Sequence, residues 1–249
     1  RVDAIYTPGH VGLTSEASIY GDFSSQAFVR GDLNIRARSL KLVAGTAIGG
    51  RVDPLRIGLD ATGVLSAEAA GNMLIDSPRH NLRTGVITAG GTIRLSGGKD
   101  ISILSGFESP MGEWTPLQFP PIDRIDPPPL DINRIHSDRG TVSIEAGGSI
   151  LDGDSDGMSG ISARSIILTA GGSIGTSGNA LELHLSAQQS NDVLTAQARE
   201  GVFITSVAGN LQAREVSSAT SDVRLVTLDG GLRVGKIRAD SGTVTLLSH

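Results

Sequence analysis

The chain contains no cysteine. Disulfide cross-links and thiolate-held metals are therefore excluded. Aromatic residues are few, with five Phe, two Tyr and one Trp in 249 residues. The 39% of hydrophobic residues must then be supplied mainly by Val, Ile, Leu and Ala, a palette that suits a narrow interior between stacked strands. Charge is also scarce, at 19% of residues against the usual quarter. The 21 basic and 26 acidic side chains are interspersed and sum to −5, and no basic stripe is present that could follow a nucleic-acid backbone. No run of 18 apolar residues occurs, and no polybasic segment carries an apolar face, so neither membrane insertion nor membrane docking is expected. No stretch sustains the i, i+3, i+4, i+7 spacing of a long amphipathic helix. The best local helix candidate, AEAAGNM at 67–73, has a counterpart, AQAREGV at 196–202, with strand-like alternation. The chain starts at Arg1 with no leader pattern, which reads as a processed product or an excerpt of something longer.

Glycine, by contrast, is plentiful: 33 residues, about twice the average usage. It falls within internal repeats. Residues 36–59, RARSLKLVAGTAIGGRVDPLRIGL, align without a gap to residues 162–185, SARSIILTAGGSIGTSGNALELHL, at an offset of 126. Ten of these 24 positions are identical. The likeness continues from LSAEAAGNMLI at 65–75 to LTAQAREGVFI at 194–204. A shorter phrase, an apolar residue, a small polar turn and then two apolar residues flanking a polar one, recurs at 86–95, 135–144, 216–225 and 237–246.

Apolar residues alternate with polar ones in Leu40/Leu42, Leu55/Ile57/Leu59, Ile101/Ile103, Val142/Ile144, Leu181/Leu183/Leu185 and Val202/Ile204. Period-two alternation marks strands with one buried face, and the Gly, Ser, Asp and Asn between them mark turns. Self-similarity at a fixed offset and small residues at equivalent corners favour a solenoid over a sandwich or barrel. The expected fold is all-β: a parallel β-helix, or β-solenoid, with coils of about 20 residues. Residues 1–105 form the first set of coils and 135–249 the second.

Residues 106–134 break the pattern, with seven of the ten prolines and the only Trp. Proline cannot donate to a ladder, so this segment is expected to be an inserted loop or arm. Either it lies over the solenoid, pinned by Phe107, Trp114 and Phe119, or those residues contact a partner or the next subunit.

The sharpest local motif is LDGDSDG at 151–157. Asp152, Asp154 and Asp156 alternate ahead of Gly157, as the hard oxygen ligands of a calcium loop do. The closing Glu is missing, since Ala163 stands at its place, so the motif is either a calcium turn or a solvated acidic turn. Five histidines, His10, His80, His136, His184 and His249, have no metal-ligand spacing, and His184 between Leu183 and Leu185 is expected to point outward. The phrases AGGTI and AGGSI are glycine-rich, but no helix follows to cradle a phosphate. Polysaccharide-active β-helices need carboxylates and cations on one strand face. Asp76, Arg79, Lys99 and Asp100 are the candidates, though their spacing gives no sign of it and aromatics for sugar stacking are scarce. No nucleophile–base arrangement is legible, and the chain is not expected to be an enzyme.

With these phrases in view, the sequence resembles the haemagglutination-activity and filamentous-haemagglutinin-like β-helical repeats of giant bacterial surface proteins. The carriers are ARSIILTAGGSIGTSGNALELHL (163–185), LTAQAREGVFI (194–204), GNLQAREVSSATSDVRL (209–225) and AGGSILDG (146–153). The resemblance implies a right-handed parallel β-helix, export to the bacterial surface, and fibrous or adhesive roles. It supplies no catalytic residue. The expected partners are further coils of a longer chain, other copies stacked head to tail into a filament, or a host or neighbouring cell surface.

Overall fold

A computed structural model describes residues 1–21, 33–104, 135–153, 158–186 and 192–249. These residues form twenty-two strands and no helix. A ten-stranded sheet contains, in spatial order, β1 (Ile5–Tyr6), β3 (Ile35–Ala37), β5 (Leu55–Leu59), β7 (Met73–Ser77), β9 (Ile93–Gly97), β12 (Thr141–Ala146), β15 (Ser165–Ala170), β17 (Leu194–Ala198), β19 (Leu211–Ser218) and β21 (Leu232–Ala239). The second sheet, of twelve strands, runs β2 (His10–Ser15), β4 (Ser39–Ala44), β6 (Leu65–Ala69), β8 (Leu82–Ala89), β11 (Ile135–Ser137), β14 (Ile161–Ala163), β16 (Leu181–Leu185), β18 (Val202–Ala208), β20 (Val223–Thr227) and β22 (Val244–Ser248). The short strands β10 (Ile101–Ile103) and β13 (Ile150–Asp152) complete it. The chain alternates between the sheets, and the ladders that join successive coils are parallel. Ile93 pairs in this way with Val142, Val202 with Val223, and Leu40 with Leu65. This is the β-solenoid expected from the sequence.

Alternation places one face of each strand inside. In β16, Leu181, Leu183 and Leu185 are buried while Glu182 and His184 are half-buried on the outer side. Inward residues of both sheets form one apolar cluster of Ile, Leu, Val and Ala along the axis. The segment 67–73 is strand, turn and strand, not helix: Ala67 and Ala69 of β6 face in, Glu68 faces out, and Met73 begins β7. Coil length varies more than the expected 20 residues. It is 19 from Leu194 to Ala213, 20 from Met73 to Ile93, and 30 from Ile5 to Ile35. From Ile93 to Val142 it is 49.

The duplicated sequences form the same elements. Adding 126 to β4 and β5 gives β15 and β16 residue for residue. Adding 129 to β6 and β8 gives β17 and β19. Yet the copies lie on opposite sheets: β3 belongs to the first sheet and its counterpart β14 to the second. Four steps along the first sheet lead from β3 through β5, β7 and β9 to β12, and β14 lies half a coil further on. The repeat unit is thus four and a half coils, an axial distance of about 22 Å at the ~4.8 Å spacing of paired strands.

Corners are built by close backbone approach. A Cβ on Gly171 would lie 2.2 Å from the Gly147 carbonyl oxygen, and one on Gly147 would lie 2.4 Å from that of Gly98. Side chains also tie one coil to the next. Asn72 Oδ1 accepts from the Thr92 backbone N–H (2.8 Å), Asn210 Oδ1 from Gly231 (2.8 Å) and Asp222 Oδ1 from Thr243 (2.8 Å). Each satisfies a turn donor that the sheet ladder does not reach.

Candidate functional site

The second sheet holds the chain's main irregularity. Strand β8 runs unbroken through Leu82–Ala89, but two strands of the following coil share it. Ile103 of β10 pairs with Thr84, and Ile135 of β11 pairs with Ile87. Along β8, the ladder positions of Ile103 and Ile135 are therefore separated by Gly85 and Val86 alone. The other edge of β8 is irregular at the same place, where β6 and β8 shift register between Leu65 and Ala67. Leu104 is still held, its N–H donating to the Thr84 carbonyl (2.9 Å). Phe107, Trp114 and Phe119, the expected partner-contact residues, lie outside the described residues.

The described part of the acidic motif, residues 151–153, lies beside β10 on the same sheet. Asp152 ends β13, paired with Ile103, and its carbonyl accepts from Asn179 Nδ2 (3.3 Å). Gly153 follows, packed so closely that a Cβ would meet Leu104 Cδ2 at 2.5 Å. Asp154 and Asp156 fall outside the described residues. Among the described residues no group of three or more His, Cys, Asp or Glu side chains is placed to hold a metal ion.

Of the carboxylates considered for polysaccharide chemistry, each has its own partners within the solenoid. Asp76 sits on the first sheet, accepting from Ser96 Oγ (2.8 Å) with Arg56 Nε at 3.9 Å. Asp100 lies in the turn between β9 and β10, and its Oδ1 accepts from the Ser149 backbone N–H (2.7 Å). That is the coil-to-coil tie made by Asn72, Asn210 and Asp222, a structural role.

One cluster escaped the sequence reading. On the outer side of the second sheet His136, Ser162 and His184 occupy neighbouring strands in register. His184 does face outward, as expected, and its Nδ1 is 3.5 Å from Ser162 Oγ. His136 Nε2 lies 2.8 Å from Asp138 Oδ1. Serine, histidine and aspartate are all present, but the carboxylate orients His136 while the serine contacts His184. A relay needs one histidine that does both. Ser162 is also only 2% exposed, which closes it to a substrate. Coil spacing, which local sequence does not reveal, is what places these residues together.

A hollow of about 320 Å³ on the first sheet is lined by Thr169, Gln197, Ser217 and Arg238, with Arg238 paired to Asp240. It has no aromatic wall. No family model matches the chain, and no curated protein or solved structure matches it.

Proposed function

We propose that this chain is a non-catalytic structural element of an exported bacterial surface protein, of the filamentous-haemagglutinin-like kind, whose work is to hold coil upon coil in a stiff rod. One observation carries the reading: what the two copies of the repeat share lies inside the rod and at its corners. Of the ten identities between 36–59 and 162–185, six pairs are buried core: Ala37/Ala163, Leu42/Leu168, Ala44/Ala170, Ile48/Ile174, Leu55/Leu181 and Leu59/Leu185. Ser39 and Ser165 make the same bond, each Oγ accepting from the backbone N–H of Val64 or Val193. Gly45/Gly171 and Gly49/Gly175 are corners, and Arg38/Arg164 is the one remaining pair. Of the six outward strand positions five differ, Arg36/Ser162, Lys41/Ile167, Val43/Thr169, Arg56/Glu182 and Gly58/His184, and the sixth, Ser39/Ser165, is the one held by the backbone bond. A catalytic or ligand-reading face would require particular outward side chains, whereas a rod requires its interior.

The test is to exchange those outward residues between the copies while leaving the interior alone, then to image the protein and label intact cells that express it. The reading expects an unchanged rod exposed on the cell surface. Collapse of the rod, or activity on an acidic polysaccharide that the exchange abolishes, would count against it.

A second reading, adhesion through 106–134, is favoured by where the chain leaves the rod. Ile103 and Ile135 lie on one sheet, with only the length of Gly85–Val86 between their ladder positions. Removal of the segment would then abolish binding to a host or neighbouring cell and leave the rod intact.

A further inference from the structure

We infer that this chain associates side by side with a second copy of itself, a projecting turn tipped by Arg51, Val52 and Asp53 seating in a hollow on the outer face of the partner's second sheet. The inference goes beyond the rod reading above, which concerns a single rod. The turn is built to project. Ile48 and Leu55 pair with Met73 and Ile75 of the next coil, so residues 49–54 stand where that coil has Leu74 alone. The Gly50 N–H donates to the Asp53 carbonyl (2.7 Å) and closes the turn. At its tip Val52 is 80% exposed, between the exposed Arg51 and Asp53. Covering that valine releases apolar surface from water.

The hollow, of about 240 Å³, lies over β4, β6 and β8 and is lined by Lys41, Val43, Ser66, Glu68, Val86 and Thr88. Its apolar part includes Val86, 49% exposed. Lys41 pairs with Ser66 and Val43 with Glu68 in the ladder. Lys41 and Glu68 are therefore one strand over and two residues along from each other, about 8 Å between backbones. Arg51 and Asp53, two residues apart, span at most about 7 Å. With Val52 between the two charges of the hollow, Arg51 meets Glu68 and Asp53 meets Lys41. Among the described residues none of these four charges has an ion-pair partner. The turn leads into β5 of the first sheet and the hollow lies on the second, so the contact joins different surfaces of two copies.

The duplication supplies a comparison. Thr169, Gln197 and Ser217, in the hollow on the first sheet, are the counterparts of Val43, Glu68 and Thr88, and the ladders beneath both hollows shift register at the equivalent residues Leu65 and Leu194. The turn recurs as well, closed by the bond from the Thr176 N–H to the Asn179 carbonyl (2.7 Å). Its tip, however, is Ser177, Gly178 and Asn179, while Ile167 and Gln197 stand for Lys41 and Glu68. The scaffold thus makes turn and hollow twice. The second copy keeps both shapes and lacks the valine and charges of the tip together with the two charges that would receive them.

One valine and two solvent-exposed ion pairs make a contact smaller than that of a stable dimer, so the association is weak and salt-sensitive. The absence of cysteine makes it testable by cross-linking. Val52→Cys and Val86→Cys chains, one of them isotopically labelled, are mixed at high concentration and oxidised. Cysteine is itself a small apolar side chain and keeps the tip. The mixed disulfide dimer is expected to form faster than one between Val52→Cys and Gly178→Cys, a position where a Cβ meets nothing within 4 Å. Adding Lys41→Glu to the Val86→Cys chain should lower the rate to that of the control pair, and adding Asp53→Lys to the Val52→Cys chain should restore it. In sedimentation, the mean mass of the unaltered chain should rise with concentration, and high salt or Val52→Asp should abolish the rise. No mixed dimer above the control, as when another protein or residues 105–134 occupy the hollow, would overturn the inference. So would indifference of the rate to the charge exchange, or a mass of one copy at every concentration. Single folded rods in these experiments would leave the rod reading standing.

Discussion

Gly49 and Gly175 hold the same left-handed backbone, φ +75° and +63°, 126 residues apart, in turns that lead into strands of opposite sheets, β5 and β16. Each begins a short excursion between two inward residues, Ile48 and Leu55 in one case and Ile174 and Leu181 in the other. Each passes so close to the neighbouring coil that a Cβ would lie 2.2 Å from the Leu74 carbonyl oxygen or 2.3 Å from that of Phe203. The duplicated unit has therefore been kept at the level of individual dihedral angles, while a half-coil remainder turned its second copy to the other face.

Substitution of either glycine tests that equivalence. Gly49→Ala and Gly175→Ala should each destabilise the fold by about 1–3 kcal/mol, since both the φ angle and the carbonyl contact are incompatible with a side chain. Gly178, where a Cβ meets nothing, is the control, and Gly178→Ala should change stability by less than about 0.5 kcal/mol. Denaturant midpoints decide it, and equal behaviour of Gly49, Gly175 and Gly178 would refute the assignment.

Replacing residues 104–134 with Gly-Lys should leave the solenoid intact. The last coil supplies the precedent: β8 reads LRTGVITA and β21 reads LRVGKIRA, both continuous through the equivalent Gly85–Val86 and Gly235–Lys236. The expected outcome is a strand-type circular dichroism spectrum and one cooperative unfolding transition. Loss of cooperativity would show that the segment is needed to join the coils before and after it.

Neighbouring residues of β16 should respond oppositely to truncation. Leu183 is fully buried, and Leu183→Ala is expected to cost about 2–5 kcal/mol through lost burial and the cavity left behind. His184 faces outward, and His184→Ala should stay within about 0.5 kcal/mol. Similar costs for the two would contradict the alternation on which the fold rests.

The coil-to-coil ties predict a smaller effect. Asn72→Ala removes the acceptor of the Thr92 N–H, and Asn210→Ala that of the Gly231 N–H. Both turns are solvent-exposed, so water replaces part of the bond and each change should cost about 1 kcal/mol. Thermal unfolding of the two variants checks it, and no change in either would mean that the side-chain acceptors are dispensable.

The strands and corners were legible because their signals are local. Alternation in LELHL at 181–185 assigns Leu181, Leu183 and Leu185 to the interior wherever the strand is placed. The glycines of AGGSI mark corners for the same reason. Asp100 reads in sequence as a candidate for chemistry because an acceptor tied to the next coil's backbone looks there like any other turn carboxylate.

What the sequence determined by itself was the class of structure: short strands with one apolar face, tight corners, and a unit that occurs twice. What only the tertiary structure decided was which residues lie above one another. Coils of 19, 20 and 30 residues coexist, so position within a coil cannot be counted along the chain. It is set by which distant strand supplies the hydrogen-bond ladder, a non-local choice. That choice put the second copy on the opposite sheet, set Ile103 and Ile135 along one strand, and brought Ser162 beside His184.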